Sequence, residues 1–364
     1  MKKSFSLFLL LVSFTVAWAQ IPFGYYDDAE GKSGAVLKTA LHNIIRSGHR
    51  ELDFRPDNAR YWWDNYFRRT DWHSATASHP NGFFWCMYST DQHTTYISGT
   101  IQNREHAMPR SWWSISTATG LDYGVANGDL HNLFPANQAA NAAKSNFPLG
   151  TTRGEIFNNG VVRVGRSTFA GYNGNVFEPP DQYKGDFART YMYMVTRYEY
   201  YANRWRSIGI TSMLIPNSRY PTLTPYAVNL LLAWHRADPV SQKEINRNDS
   251  VYQIQRNRNP FIDHPELAEH IWGNLMREPW FRNATIAEFG VEYLPGGDIR
   301  VLVSRRSGES FHYEIYSVTG LKLDSRELPE NNIIELTDLN NGMYILVVYA
   351  RNQRHTARIL VGTI

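Results

Sequence analysis

The sequence predicts an α+β protein, a mainly helical body followed by a small antiparallel β-sandwich. Three observations carry this expectation. Stretches such as "SGAVLKTALHNIIRSG", "DFARTYMYMVTRYEYY", "TPYAVNLLLAWHRAD" and "ELAEHIWGNLM" read as helices, with apolar residues at helical spacing. From about Phe289 the pattern changes to short runs rich in β-branched and aromatic residues: "DIRVLVSR", "FHYEIYSVTG", "NIIELTDL" and "GMYILVVYA". Turn signals at Gly296-Gly297 and Asn341-Gly342 divide them. The chain of 364 residues is 43% hydrophobic, enough for one large core and a smaller one beside it.

Taken in order, the chain opens with Lys2 and Lys3, an apolar run, and Ala17-Trp18-Ala19. That is the pattern of a secretory signal peptide over 1–19, cut after Ala19 or Gln20, and the apolar run is short for a membrane span. The body is expected over 20–288. Its first helix carries Leu37, Leu41, Ile44 and Ile45 on one face and stops at Gly48. A stretch rich in Trp, Tyr, Asn and Gly follows, with short strands and long loops. In "NLFPANQAANAAKS", Pro135 marks a change from loop to a short alanine-rich helix, with Asn137 and Asn141 on one face and Lys144 three residues on. The next helix has Asp186 near its start, and another places Pro225 in its first turn, a favoured position. Around "NRNPFIDHPE", Pro260 and Pro265 shape a turn and Asp263 is expected to cap the helix that follows, in preference to a metal role for Asp263, His264 and Glu266. The last segment, 289–364, is the β-sandwich.

Composition narrows the chemistry. A single cysteine, Cys86, excludes an internal disulfide, and it reads as a small buried hydrophobe rather than a catalytic thiol. Formal net charge is +3; Lys2 and Lys3 contribute +2 and the segment from Val291 carries eight basic and nine acidic residues, leaving about +2 for the middle. A polyanionic partner must therefore be gripped locally or through a bound cation. No H-E-x-x-H occurs, which removes the common zinc-protease pattern.

Two stretches concentrate polar chemistry: "NREHAMPRSWW" (103–113) and "GDLHNLFPANQAANAAKSNFPLG" (128–150). A helical Asn is costly by propensity, so Asn141 needs a use: a solvated face, a cap, or an oxygen offered to a hard divalent ion. Glu105 could supply the charged oxygen beside it.

With "FEPPDQYKGDFARTYMYMVTRY" and "RNRNPFIDHPELAEHIW", these stretches resemble the bacterial endonuclease I family of secreted and periplasmic nucleases, over roughly residues 25–282. The resemblance implies a ββα-metal core and cleavage of DNA, RNA or both with a divalent metal, Mg²⁺ first, with Mn²⁺ or Ca²⁺ as alternatives. It assigns Glu105 and Asn141 to the metal, His106 to general-base work, and Asp129, His131 and Asn132 to orienting the site. The arginine on the scissile phosphate cannot be placed by motif: Arg110, Arg104 and Arg189 are candidates, and Lys144 could replace or assist them. Lys184 and Arg189, at a helix start, are candidates for flanking phosphates, or else ordinary solvated charges. Several relatives are laced with disulfides and this chain cannot be. Because neighbours on a regular strand face opposite ways, Glu105 and His106 predict irregular backbone, with Pro109 ending any strand soon after.

The tail resembles the C-terminal sorting domain of type IX secretion in Bacteroidetes, through "EIYSVTGLKL", "NNIIELTDLNNGMYILVVYA" and "ARILVG". It implies an encounter with that secretion machinery and a secreted or surface location. The competing functional reading is a non-catalytic surface nucleic-acid-binding protein or adhesin with a decayed nuclease site.

Overall fold

The structure is a computed structural model. It describes residues 21–361 apart from 23, 55–58, 75–79, 91–101, 114–124, 205–211, 283–288, 294–298, 304–310, 330, 332, 338 and 351–352. The signal-peptide expectation at 1–19 lies outside the described residues. No helix among the described residues is long and apolar enough to cross a membrane.

The first helix, α1 (Gly34–Arg46), buries Leu37, Leu41 and Ile45, and Gly48 follows it at φ +70°, a conformation glycine adopts without strain. Ala59–Trp62 (α2) leads through a π-helical turn at Trp63–Phe67 into Arg68–Thr70 (α3), burying Trp62, Trp63 and Phe67. A short hairpin pairs β1 (Trp72–His73) with β2 (Phe83–Phe84). Then β3 (Gln102–His106) pairs antiparallel with β4 (Leu133–Asn137), which runs directly into α4 (Gln138–Lys144).

Two details of that unit correct the expectations. Pro135 lies inside β4, opposite Arg104; a two-stranded sheet leaves each strand an open edge where a missing N–H costs nothing. Asn137 is the cap of α4, not part of its face: its side-chain oxygen accepts the Ala140 N–H at 3.0 Å.

A three-stranded antiparallel sheet follows, β5 (Phe157–Asn158), β6 (Arg163–Arg166) and β7 (Asn175–Glu178). The next helix, α5 (Lys184–Arg197), is buried from Gly185 onward and forms the centre of the body; a helix enclosed on all sides needs no polar stripe. Thr224 caps α6 (Pro225–Ala237), with Pro225 at its first position. Ser241 and Glu244 form a reciprocal capping box on α7 (Gln242–Gln255). Asn259, not Asp263, caps the next turn, α8 (Pro260–Asp263), and α9 (Leu267–Trp272) is the last α-helix among the described residues. Asp263 instead accepts hydrogen bonds from Arg258, Asn248 and Tyr26, a structural role. Beyond α9, Trp280 pairs with Lys32 as an isolated antiparallel bridge, with N–H···O distances of 2.7 Å to Lys32 and 2.8 Å from Gly31.

The remaining strands form two antiparallel sheets. One orders β11 (Lys322–Glu327), β10 (Phe311–Ser317), β13 (Gly342–Ala350) and β14 (Gln353–Val361); the other orders β12 (Ile333–Leu336), β9 (Ile299–Val303) and β8 (Phe289–Tyr293). Both contribute to one core containing Val301, Ile315, Leu336, Leu346 and Ile359, the sandwich arrangement expected of alternating strands.

Candidate active site

Glu105 and His106 end β3 on regular backbone. Glu105 stands opposite Phe134 and His106 opposite Leu133, with no bulge. The expected irregularity is absent, so their side chains leave opposite faces of the strand. Both still reach one cleft of about 370 Å³, because they occupy the strand's last two positions and the chain turns away behind them. Asn132 holds that turn. Its Oδ1 accepts the Met108 N–H at 2.8 Å, its Nδ2 donates to the Met108 carbonyl at 3.1 Å, and its own carbonyl accepts the Ala107 N–H at 2.9 Å. Tyr191 adds a bond to the Ala107 carbonyl at 3.1 Å. Pro109 then leads into a 3₁₀ turn at Arg110–Trp112.

The His106 ring is buried and its Nε2 lies 2.9 Å from the Asn127 carbonyl. A carbonyl can only accept, so Nε2 carries the proton of the neutral ring and Nδ1 keeps a lone pair. Burial pulls the imidazole down to about 3, opposed by the Asn127 bond and reinforced by the charges of Arg110, Lys144 and Arg104. Phe54 and Trp113 pack on the ring at centroid distances of 5.4 and 6.0 Å.

Glu105 is also buried. Lys144 Nζ donates to its Oε1 at 2.5 Å and to the His106 carbonyl at 3.1 Å. Burial pushes the Glu105 carboxyl up, against the pull of Lys144. Asn141 is half-buried one turn before Lys144 on α4, and its side chain makes no hydrogen bond with a described residue. Among the described residues no group of three or more His, Cys, Asp or Glu is arranged to hold an ion. The donors that remain are the Glu105 carboxylate on the cleft wall and the Asn141 amide on α4, which is not among the residues lining the cleft; both are hard ligand types that suit a cation retaining several waters.

Asp129 and His131 lie deeper. Asp129 Oδ1 accepts from the His131 N–H (2.9 Å) and Gln255 Nε2 (2.8 Å), and Oδ2 from the Tyr193 (2.7 Å) and Tyr198 (2.9 Å) hydroxyls. Burial alone would raise this carboxyl; His49 and His131, with the Gln255 and Tyr193 donors, hold it below its ordinary value. Burial takes His131 down to about 4, opposed by Asp129 and aided by Arg247. This hub braces the segment that presents Asn132 and does not touch the cleft.

The five candidate phosphate ligands separate. Arg110 is exposed and lines the cleft with Ser111, Ser145 and Asn146. Arg104 lies along the Phe54 ring at 4.3 Å, on the His106 side of β3. Lys144 is fully buried on Glu105, which corrects its reading as a phosphate ligand. Lys184 is committed to Glu178 (2.8 Å) and Asp181 (2.6 Å). Arg189 is 0% exposed; it grips Glu244 at 2.6 and 2.8 Å and the Asp238 carbonyl at 2.9 Å, so it is a core residue, not a phosphate contact. Cys86, half-buried and accepting from Ser89, is held above its ordinary value by burial.

Sequence reasoning missed Asn127 and Phe54. Asn127 acts through its backbone, which no side-chain pattern reveals. Its neighbour offers a clue: a Cβ on Gly128 would sit 2.2 Å from the Leu52 carbonyl, so this turn is pressed against another segment.

Comparison with known proteins bears on this arrangement. The family model described as Endonuclease I matches residues 33–266. The extracellular ribonuclease of Bacillus amyloliquefaciens is 35% identical over 253 residues, 68% of this chain and 78% of that protein. The extracellular ribonuclease of Bacillus subtilis (strain 168) is 34% identical over 254 residues, with the same coverage of each chain. An extracellular deoxyribonuclease of Aeromonas hydrophila is 26% identical over 143 residues, 39% of this chain and 52% of that protein. The matched span contains the strand pair, the helix after it and every residue of the cleft, and on this ground the chain belongs to the endonuclease I family.

Proposed function

We propose that this protein is an exported endonuclease that hydrolyses phosphodiester bonds of nucleic acid with little sequence specificity, in the cleft at the end of β3. The observation that carries the reading is a neutral imidazole with Nδ1 left as acceptor, beside a carboxylate on the same cleft. His106 accepts a proton from the attacking water at Nδ1, while Asn127 fixes the ring by holding Nε2–H. On its own the ring has low proton affinity; a phosphate's negative charge within reach raises it, so the base strengthens when substrate is present. Arg110, exposed at the mouth, is the cation placed to orient that phosphate. Glu105 and Asn141 are the residues that would hold a divalent cation, Mg²⁺ first and Mn²⁺ or Ca²⁺ after it, which when bound supplies positive charge for the leaving oxygen. This strand-strand-helix unit is then a ββα-metal core. Asp129, His131 and Asn132 keep the peptide around His106 in place.

RNA is the first substrate to test, because the ribonuclease relatives align over far more of the chain than the deoxyribonucleases do. The β-sandwich over 289–364 is proposed as a sorting tail for type IX secretion, acting after signal-peptide export over 1–19.

The test is digestion of RNA and of plasmid DNA by the purified protein in Mg²⁺, Mn²⁺ and Ca²⁺, with an EDTA arm. Cleavage abolished by EDTA and restored by a divalent cation is expected. Both nucleic acids intact in all three metals would overturn the reading in favour of a binding protein. For the tail, deletion from 289 should leave an active enzyme inside the cell; unchanged export would remove the sorting role.

A further inference from the structure

The buried lysine at the end of α4 has a role that neither its residue type nor its spacing suggested. Helix α4 has only seven residues, far below the length at which a helix holds its own shape in water. Its placement must come from packing, and its buried positions are Ala140 and Lys144 alone. Ala140 brings a methyl group. Lys144 brings a stem enclosed by protein, 0% exposed, and an ammonium that reaches across to β3. There it binds two groups on consecutive residues, Glu105 Oε1 at 2.5 Å and the His106 carbonyl at 3.1 Å. The same ammonium lies 5.9 Å from the centroid of the Phe177 ring on β7. Past it, Ser145 takes φ +47° and ψ −130°, an unfavourable backbone for a residue with a Cβ, and lines the cleft.

These contacts tie the helix that carries Asn141 to the strand that carries Glu105 and His106. We infer that Lys144 is a positioning residue: it locks the Glu105 carboxylate by one oxygen and sets the register of α4 against β3, so that the Glu105 and Asn141 oxygens are held ready for one divalent cation. The inference rests on the reading of those two residues as cation donors. The physical reason is preorganisation. A glutamate has several rotatable bonds, and a carboxylate already hydrogen-bonded on one oxygen loses less freedom when the other takes a ligand. Because Lys144 is shielded by protein, it does this without offering its charge to substrate.

The experiment compares full-length wild type with Lys144→Met and Lys144→Arg. Mn²⁺ binding is measured by titration calorimetry and the thermal midpoint is measured in EDTA. Wild type should bind Mn²⁺; if it does not, the cation reading itself fails and not the role of Lys144 alone. Given wild-type binding, Lys144→Met should fold and bind Mn²⁺ about 10–100-fold more weakly, the usual cost of removing an outer partner of a ligand. Lys144→Arg, which keeps a charged donor, should recover part of that loss. Equal or tighter Mn²⁺ binding by Lys144→Met overturns the inference, because a purely structural lysine would move only the midpoint and a competing ammonium would leave the site stronger. Should Lys144→Met fail to melt cooperatively, Lys144→Gln, whose side chain is one bond shorter and carries no charge, decides in its place: wild-type affinity overturns the inference and weakened affinity supports it.

Discussion

The cleft at the end of β3 and the junction of α5 with α7 each bury a cation on a carboxylate, and they are built for different ends. At the junction Arg189 meets both oxygens of Glu244, adds the Asp238 carbonyl, and closes the Ser241 capping box through the same glutamate. Both side chains there are hydrogen-bonded, and the cavity that touches Glu244 is about 20 Å³, against about 370 Å³ at the cleft. At the cleft Lys144 meets one oxygen of Glu105, the carboxylate side chain stays 11% exposed, and open volume lies beside it. Both cations were plausible phosphate ligands from sequence. Burial of the cation excludes both, and the open space beside its partner separates the fully enclosed pair from the one at the cleft.

The sharpest way to break that contrast is to cut each site at its centre. His106→Ala should lower kcat by about 10²–10⁴-fold, the range general-base groups contribute, with the thermal midpoint little changed. An unaltered kcat would take His106 out of the reaction. Arg189→Met should do the reverse: about 3–5 kcal/mol lost in denaturant unfolding, because Glu244 stays buried without its partner, and near-normal kcat at temperatures where the fold persists. A variant of wild-type stability that had lost activity would reverse the two assignments.

A smaller effect tests how the turn behind His106 supports it. Asn132→Ala removes both bonds to Met108. It should cost about 1–3 kcal/mol of stability. Displacement of the imidazole should add up to about 10²-fold in kcat. If stability fell and kcat did not, Asn132 would belong with the structural residues.

The smallest effect is a slope. His131 titrates at about 4 in the fold against an ordinary 6.5. Between those values the unfolded chain binds a proton there and the folded one does not, so this residue makes the fold less stable as pH falls from about 6.5 to about 4, and adds nothing further below. His131→Gln should therefore show a shallower decline in unfolding free energy across that window, measured by urea titration at several pH values. An identical slope would mean that the ring is protonated in the fold.

Legibility from sequence followed how each region is stabilised. Helices α1 and α6 were readable because their buried faces are mostly apolar, despite Lys38, His42 and His235, and their ends carry conventional signals, Gly48 and Pro225. The β-sandwich was readable for the same reason, alternating strands over an apolar core. Helix α7 went unseen because its buried face is polar, with Glu244, Arg247, Asn248, Asp249 and Gln255 inside; the Ser241–Glu244 capping box was the available sign. Glu105, His106 and Asn141 are candidates by family resemblance; the structure brings the first two to one cleft, and Asn141 is not among the residues lining it. The structural jobs of Lys144 and Arg189 could not be picked out, because a charged residue's letter does not say whether its partner waits inside the protein or in the substrate; Asp263 was read as structural, though its partners turned out to be Arg258, Asn248 and Tyr26 and not a helix end.

The bridge between Lys32 and Trp280 has a consequence for how the body responds to redox conditions. It fastens the beginning of the nuclease body to its end, as a disulfide does in many exported proteins, yet with main-chain hydrogen bonds alone. A disulfide survives unfolding and restrains the denatured chain; this clasp dissolves with the fold and restrains nothing afterwards. With one cysteine in the chain, reductant has no intramolecular cross-link to cut. The body should therefore ripen without an oxidase and keep the same melting point in oxidising and reducing surroundings.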